Sequence, residues 1–293
     1  MKIMLVGFGT RHLLDRTIRP FVQIEGGTFY EPTLPNGTHV DQFEKTKWPG
    51  FDMAKFKQEK PDVAVFGILR GIEDILWACK ELGINYYYFD HAYFFKGHNH
   101  KANNISNILA YRVTKNAENL TRIVELDNVD RNRIIKYRKF TDTLRLKNIK
   151  KGQRILIVPP TEAVCRYYKI DNLNEWENQV RFNVKKYSDR NIVIRRKNDP
   201  KPLESDLQNA HCVITYQSTV GITAILKGVP VICDDVSMCK PVSINFEDIE
   251  KKYIRDDDLV NKWIDSLLAN QFTMEEIQNG TAKRIVDKYD NHS

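Results

Sequence analysis

No stretch of this chain approaches the ~18–20 consecutive apolar residues that cross a bilayer, although 42% of its 293 residues are hydrophobic. Cysteine is scarce and scattered: five residues, at 79, 165, 212, 233 and 239, with no C-x-x-C pair. That pattern argues against a disulfide scaffold or a zinc site, and reduced, mainly buried thiols in a cytoplasmic protein are expected. The opening MKIMLVGFGTRH has too short an apolar stretch for a secretory signal and reads as a first β-strand. Gly7 and Gly9 stand in GFGTRH, but His12 occupies the third position of G-x-G-x-x-G, so a dinucleotide fingerprint is missing. G-x-S-x-G and Walker A patterns are missing too, which removes the common hydrolase and P-loop kinase readings. His91, His98 and His100 lack acids at ligand spacing, so no metal is expected. Neither an internal repeat nor a low-complexity tract is evident.

What is present is an aromatic-rich globular composition, 11% Phe, Trp and Tyr, in a chain long enough for two domains of ~150 residues. The formal charge is +7 and the pI near 9.0. The excess is local: between Arg131 and Arg154 ten Lys or Arg residues face a single acid, Asp142, with Tyr137 and Phe140 interleaved. Such a tract is either a solvated helix and linker or a phosphate-backbone footprint carried by Arg131, Arg133, Arg138, Lys139 and Lys147.

Strand and helix signals alternate along the chain. Short buried strands are expected at 2–6, 61–67, 86–90, 154–160, 191–196, 211–216 and 229–233. Helices are expected at 12–24, 71–82, 172–187, 257–269 and 273–288, and Gly83 ends the second of these. The segment 25–49 reads as irregular, and 91–116 as a functional loop. This rhythm implies an α/β fold with parallel sheets. A boundary near Lys150 would give an acceptor-side domain at 1–150 and a nucleotide-binding domain at 151–272. Residues 273–293 would then pack back on the first domain.

The most informative run is 193–235, where the strand ending at Tyr216 passes through Gln217, Ser218 and Thr219 into a helix that starts near Ser218. A parallel strand feeding a helix aims unpaired N–H groups and two hydroxyls at one point, which suits a diphosphate. Ser218 would equally serve as a plain helix cap. Arg195, Arg196 and Lys197 follow another strand, and a guanidinium matches a phosphate bidentately. Arg166, after the loop Pro159-Pro160-Thr161, is a second cation for the same task. Gly9 would let the backbone approach a ligand. Asp90 and His91 end a strand, where a parallel sheet borders its ligand, and either could act as a general base.

The run ESDLQNAHCVITYQSTVGITAILKGVPVI resembles the nucleotide-sugar segment of capsule and surface-polysaccharide glycosyltransferases and their phage-encoded relatives. The likeness is good over roughly 190–235 and elsewhere architectural. YYYFDHAYF, with YRVTKNA downstream, is similar to the Asp-His-Gly-Tyr-Phe and Tyr-Arg-x-Thr-x-Asn pattern of a phage and bacterial subgroup. Two positions depart: Thr223 stands where many such enzymes carry a ribose-holding Glu, and Ala92 replaces the Gly after Asp-His.

The resemblance implies a GT-B architecture, two Rossmann-like domains facing across a cleft, and transfer of a sugar without a metal cofactor. The donor would be a nucleotide sugar, a UDP-sugar first. Donor contacts would fall to Gly9, Arg166, Arg195, Arg196, Lys197, Gln217, Ser218 and Thr219, and catalysis to Asp90 and His91. The acceptor would be a hydroxyl, on hydroxymethylated phage DNA or on a surface polysaccharide. Double-stranded DNA would then be a partner, and the protein would be cytoplasmic, in the host cytoplasm if phage-encoded. A nucleotide-sugar epimerase and a non-catalytic nucleic-acid-binding protein are the alternative readings.

Overall fold

In the computed structural model the described residues are 3–6, 18–24, 26–30, 53–67, 73–94, 111–139, 144–149 and 152–290. They begin with β1 (Ile3–Val6), α1 (Arg19–Gln23), β2 (Thr28–Tyr30), α2 (Met53–Glu59), β3 (Val63–Gly67), α3 (Glu73–Leu82), β4 (Asn85–His91) and β5 (Tyr111–Lys115). There follow α4 (Asn128–Lys139), β6 (Arg154–Val158), α5 (Glu162–Tyr168), α6 (Leu173–Tyr187), β7 (Asn191–Ile194), α7 (Leu203–Leu207) and β8 (Ala210–Thr215). The chain ends with α8 (Val220–Leu226), β9 (Val231–Cys233), α9 (Asp257–Ala269), β10 (Gln271–Phe272), α10 (Met274–Gln278) and α11 (Thr281–Asp290). The strand expected at 2–6 is present as β1, and Gly9, His98 and His100 lie outside the described residues.

The chain divides into two compact units, 1–118 with 269–293, and 119–268. The first holds a six-stranded sheet of order β10-β5-β4-β3-β1-β2. Its β2, β1, β3 and β4 run parallel, and β5 and β10 add antiparallel pairs at one edge. Every residue of β3, Val-Ala-Val-Phe-Gly, is buried, as a strand covered on both faces requires. β3 and β4 approach so closely at Gly67 that a Cβ there would lie 2.7 Å from the Phe89 carbonyl oxygen.

The C-terminal helices complete this unit. Thr273 and Glu276 form a reciprocal capping box at the start of α10. Gly280, at φ +84°, then breaks the expected continuous 273–288 helix into α10 and α11. Ala282, Ile285, Val286 and Tyr289 form the buried stripe of α11, which packs beside β5. Polar ties reinforce it: Tyr87 donates its hydroxyl to Asp287 at 2.5 Å, and Lys115 and Lys283 reach the same carboxylate at 3.1 and 2.6 Å.

The second unit is built on an all-parallel sheet of order β7-β6-β8-β9. Ile155, Ile157, Cys212, Ile214 and Ile232 from its strands pack against Val180 and Val184 of α6. Residues 119–149 belong here, so the division falls well before the boundary expected near Lys150. The reason is physical attachment. Arg138 of α4 is bound to Asp265 and Asn261 of α9, and the Val124 N–H donates to Ser266 Oγ at 2.8 Å. The Lys147 N–H donates to the Leu226 carbonyl at the same distance.

Candidate functional site

From β6 the second unit's chain steps outward to β7, then returns to place β8 on the opposite side of β6. The strand order therefore reverses between β6 and β8. In open parallel sheets the carboxyl-end loops separate at such a point and leave a crevice that takes ligands. The loop leaving β6 is Pro159-Pro160-Thr161, with both prolines buried and Thr161 in the cap position of α5. The loop leaving β8 is Tyr216-Gln217-Ser218-Thr219.

This second loop is tightly specified. The Ser218 N–H donates to Thr215 Oγ1, and Ser218 Oγ accepts from the Val220 N–H, both at 3.2 Å. Ser218 thus closes a local turn, Thr219 holds the N-cap position, and α8 starts at Val220, slightly later than the sequence pattern predicts. Gln217 is held from two directions. Its Oε1 accepts from Asn119 Nδ2 at 2.5 Å and from the Tyr168 hydroxyl at 3.1 Å. Asn119 Nδ2 also donates to the Val236 carbonyl at 3.1 Å. The Tyr168 ring meets Tyr216 edge-on at 5.2 Å, which ties the end of α5 to the β8 loop. Asn119 and Tyr168 were missed in the sequence, where nothing about their spacing connects them with Gln217.

The basic corner after β7 is differently employed. Arg195 Nη1 sits 2.6 Å from Asp206 Oδ2, and Nη2 donates to the Lys201 carbonyl at 2.7 Å. Arg196 grips Glu177 with both terminal nitrogens, at 2.6 and 3.1 Å. Lys197 is exposed in the following turn. The expected phosphate-binding guanidiniums are thus committed to carboxylates whose side chains are only 7% and 9% exposed. A buried carboxylate without its partner would be costly, and each arginine offsets that cost for the carboxylate it meets. Burial pushes the Asp206 carboxyl up, yet hydrogen bonds from Lys201 and Arg195 outweigh it and leave the group below its ordinary range. Arg166 is placed otherwise: it is exposed on α5 and lines a cleft of about 540 Å³ with Glu162, Lys169 and Asp171.

In the first unit Asp90 and His91 close β4. Asp90 Oδ2 accepts from Arg112 at 2.7 Å and from the Tyr88 hydroxyl at 3.3 Å, while Oδ1 accepts from the His91 N–H at 2.7 Å. Arg112 Nη1 also donates to the His91 carbonyl at 2.9 Å. Asp90 and Arg112 therefore clamp the peptide of His91, whose ring stacks on Tyr111 at 6.4 Å. Ala92, at the departure from Asp-His-Gly, is buried.

Part of the basic tract is tied into the fold. Arg131 donates to the Leu126 carbonyl at 3.2 Å, and Arg133 lies over the Tyr137 ring. Arg138 makes three hydrogen bonds to α9. Lys147 keeps an exposed side chain, and its carbonyl accepts from Arg255 at 2.8 Å. The Lys139 side chain lies outside the described residues. Among the described residues no group of His, Cys, Asp and Glu could hold a metal ion, and no helix is long and apolar enough to cross a membrane.

Fold and site together define an α/β protein with a mixed six-stranded sheet in the first unit and an all-parallel four-stranded sheet in the second, whose strand order reverses between β6 and β8. No protein-family model matches the chain, and no curated protein does. Solved structures similar to it include two Thermosulfurimonas dismutans KpsC proteins. The beta Kdo 2,7 transferase is 11% identical over 98% of this chain and 99% of its own, at a TM-score of 0.46. The beta Kdo 2,4 transferase is 10% identical over 98% of each chain, at 0.44. A Methanocaldococcus jannaschii UDP-GlcNAc 2-epimerase, in complex with UDP-GlcNAc and UDP, is 13% identical over the full length of both chains, at 0.30. Likenesses this distant assign neither substrate nor activity.

Proposed function

We propose that this chain is a glycosyltransferase that takes its sugar from a nucleotide-sugar donor, with the nucleotide seated at the strand-order reversal of the second unit. The observation that carries this reading is the placement of the Thr161 loop and the Gln217-Ser218-Thr219 turn at the carboxyl ends of the neighbouring parallel strands β6 and β8, where the strand order reverses. The motif resemblance over 190–235 falls on that same turn. With Arg195 and Arg196 committed elsewhere, Arg166 on α5 is the cation we assign to the departing diphosphate in place of a metal ion. In the transfer an acceptor hydroxyl oxygen bonds to the anomeric carbon while the bond to the diphosphate oxygen breaks. The nucleoside diphosphate keeps that electron pair. The hydroxyl proton passes to a base, a role given to the imidazole of His91, since the Asp90 carboxylate is already engaged by Arg112.

A saccharide acceptor is favoured over double-stranded DNA, because Arg138 is spent on α9 and Arg131 and Arg133 on the backbone or a neighbouring ring. The test is a thermal-shift panel of UDP-, GDP-, CMP- and ADP-sugars. Ligand at ~100 times its dissociation constant stabilises by ~2.7 kcal/mol, so silence across the panel removes the proposal. Product analysis after incubation with the donor alone separates the epimerase alternative, which would alter the sugar without an acceptor.

A further inference from the structure

The geometry points to Gln217 as the specificity-determining donor of this site, with its amide orientation set by Asn119 and Tyr168, and to a phosphoryl oxygen of the bound nucleotide as its target. This inference deepens the donor-site reading above and rests on it.

The orientation follows from donor and acceptor chemistry alone. The Val236 carbonyl can only accept, so the Asn119 group 3.1 Å from it must be the NH2. That same Nδ2 faces Gln217 at 2.5 Å, so the Gln217 group opposite must be its carbonyl oxygen. The Tyr168 hydroxyl, 3.1 Å from the same oxygen, donates to it and fills its second lone pair. Turning the Gln217 amide over would set its NH2 against the Asn119 NH2, two donors face to face. Its Nε2 is thereby left as a pair of N–H donors with no partner among the described residues, on a half-buried side chain at the carboxyl end of β8.

A second observation marks the same place. Asn119 is only 3% exposed, yet its Oδ1 has no hydrogen-bond partner among the described residues. Buried acceptors are seldom left bare. Swapping the Asn119 amide would satisfy nothing, because it would press Oδ1 against the Val236 carbonyl. The relay thus keeps its direction at the expense of a buried oxygen. Ser218, the next residue, accepts from the Val220 N–H with its hydroxyl oxygen, and Gln217 supplies the side-chain amide of the turn. A neutral, preoriented N–H2 group accepts no proton and repels no anion, so it selects for phosphoryl oxygens over donor groups.

Gln217→Glu keeps the carbon skeleton and the inward oxygen but replaces the outward NH2 by a carboxylate oxygen. UDP binding to the full chain by calorimetry, together with the ligand-free melting temperature, tests the assignment. The expected result is an unchanged melting temperature and a roughly ten- to hundredfold weaker UDP affinity. Unchanged UDP affinity in Gln217→Glu overturns this inference while leaving the donor-site reading intact. Failure of the wild type to bind any of UDP, GDP, CMP or ADP overturns that reading, and this one with it. Should Gln217→Glu not fold, Tyr168→Phe decides, since it removes only the hydroxyl that steadies the amide. A severalfold loss of UDP affinity at constant melting temperature supports the relay, and constant affinity overturns it.

Discussion

The Arg112 guanidinium places Nη2 2.7 Å from Asp90 Oδ2, and the two side chains are only 8% and 15% exposed. Arg112 also lies over the Tyr93 ring at 4.8 Å, so the pair is enclosed by aromatic as well as charged neighbours. Arg112 sits on β5, directly opposite Asp90 in the antiparallel register. Removing one member leaves the other as an uncompensated buried charge. Arg112→Ala should therefore cost about 3–5 kcal/mol in urea unfolding. Asp90→Asn should lose stability together with any activity. An Asp90→Asn protein as stable as the wild type would show that Asp90 is a free base after all.

The Asp287 carboxyl carries a pH signature. Burial pushes it up, but hydrogen bonds from Lys283, Tyr87 and Lys115 outweigh burial and hold it below its ordinary value. A depressed folded-state pKa contributes stability that is complete above the unfolded value of about 3.9 and disappears as pH falls through the folded value. Between pH 6 and pH 3 the wild type should therefore lose stability more steeply than Asp287→Asn, as measured by urea midpoints at each pH. Equal slopes would contradict the network that anchors α11.

Gly228 separates strain from collision. Its φ is +77°, and a Cβ there would lie 2.2 Å from the Asn148 carbonyl oxygen. Gly83 has φ +65° with nothing within 4 Å of the same position. Gly83→Ala should cost only the left-handed backbone penalty of roughly 1–2 kcal/mol, and Gly228→Ala clearly more, because the 148–149 backbone must move. Similar unfolding midpoints for the two variants would refute the packing of that segment on the end of α8.

The basic tract offers a contrast of another kind. Arg138 Nε lies 2.6 Å from Asp265 Oδ1, and Nη2 donates to the Asn261 carbonyl at 2.7 Å. Arg138→Ala should lower stability by about 1–3 kcal/mol, whereas Lys147→Ala, at an exposed side chain, should stay within about 0.5 kcal/mol. In a gel-shift titration with duplex DNA at low salt, no shift is expected for wild type. A shift that weakens steeply with salt would restore the DNA-acceptor reading.

Much of the local structure was legible in the sequence. The apolar runs of β3, β4, β6 and β8 mark parallel strands covered on both faces, and α9 spans the predicted 257–269. The strands that escaped are β2, β5 and β10. β10 is only two residues long, and β5 pairs with it and with β4, so the identity of all three depends on neighbours remote in the chain. The predicted helix over 273–288 breaks at Gly280, whose positive φ a periodicity count does not register.

The site divides along the same line. The Gln217-Ser218-Thr219 turn could be placed at the end of a strand from its own residues, because strand, turn and helix signals are local. Which partners each polar side chain meets there depends on tertiary structure. Arg196 and Gln217 both read as donor-site candidates from the sequence; only the fold brings Glu177 to 2.6 Å from Arg196 and Asn119, 98 positions away, to the Gln217 carbonyl oxygen. Hydrogen bonds and ion pairs act over about 3 Å, whatever the sequence separation. Periodicity therefore determines which elements form, and only the folded chain decides which donors are spent within it and which remain for a ligand.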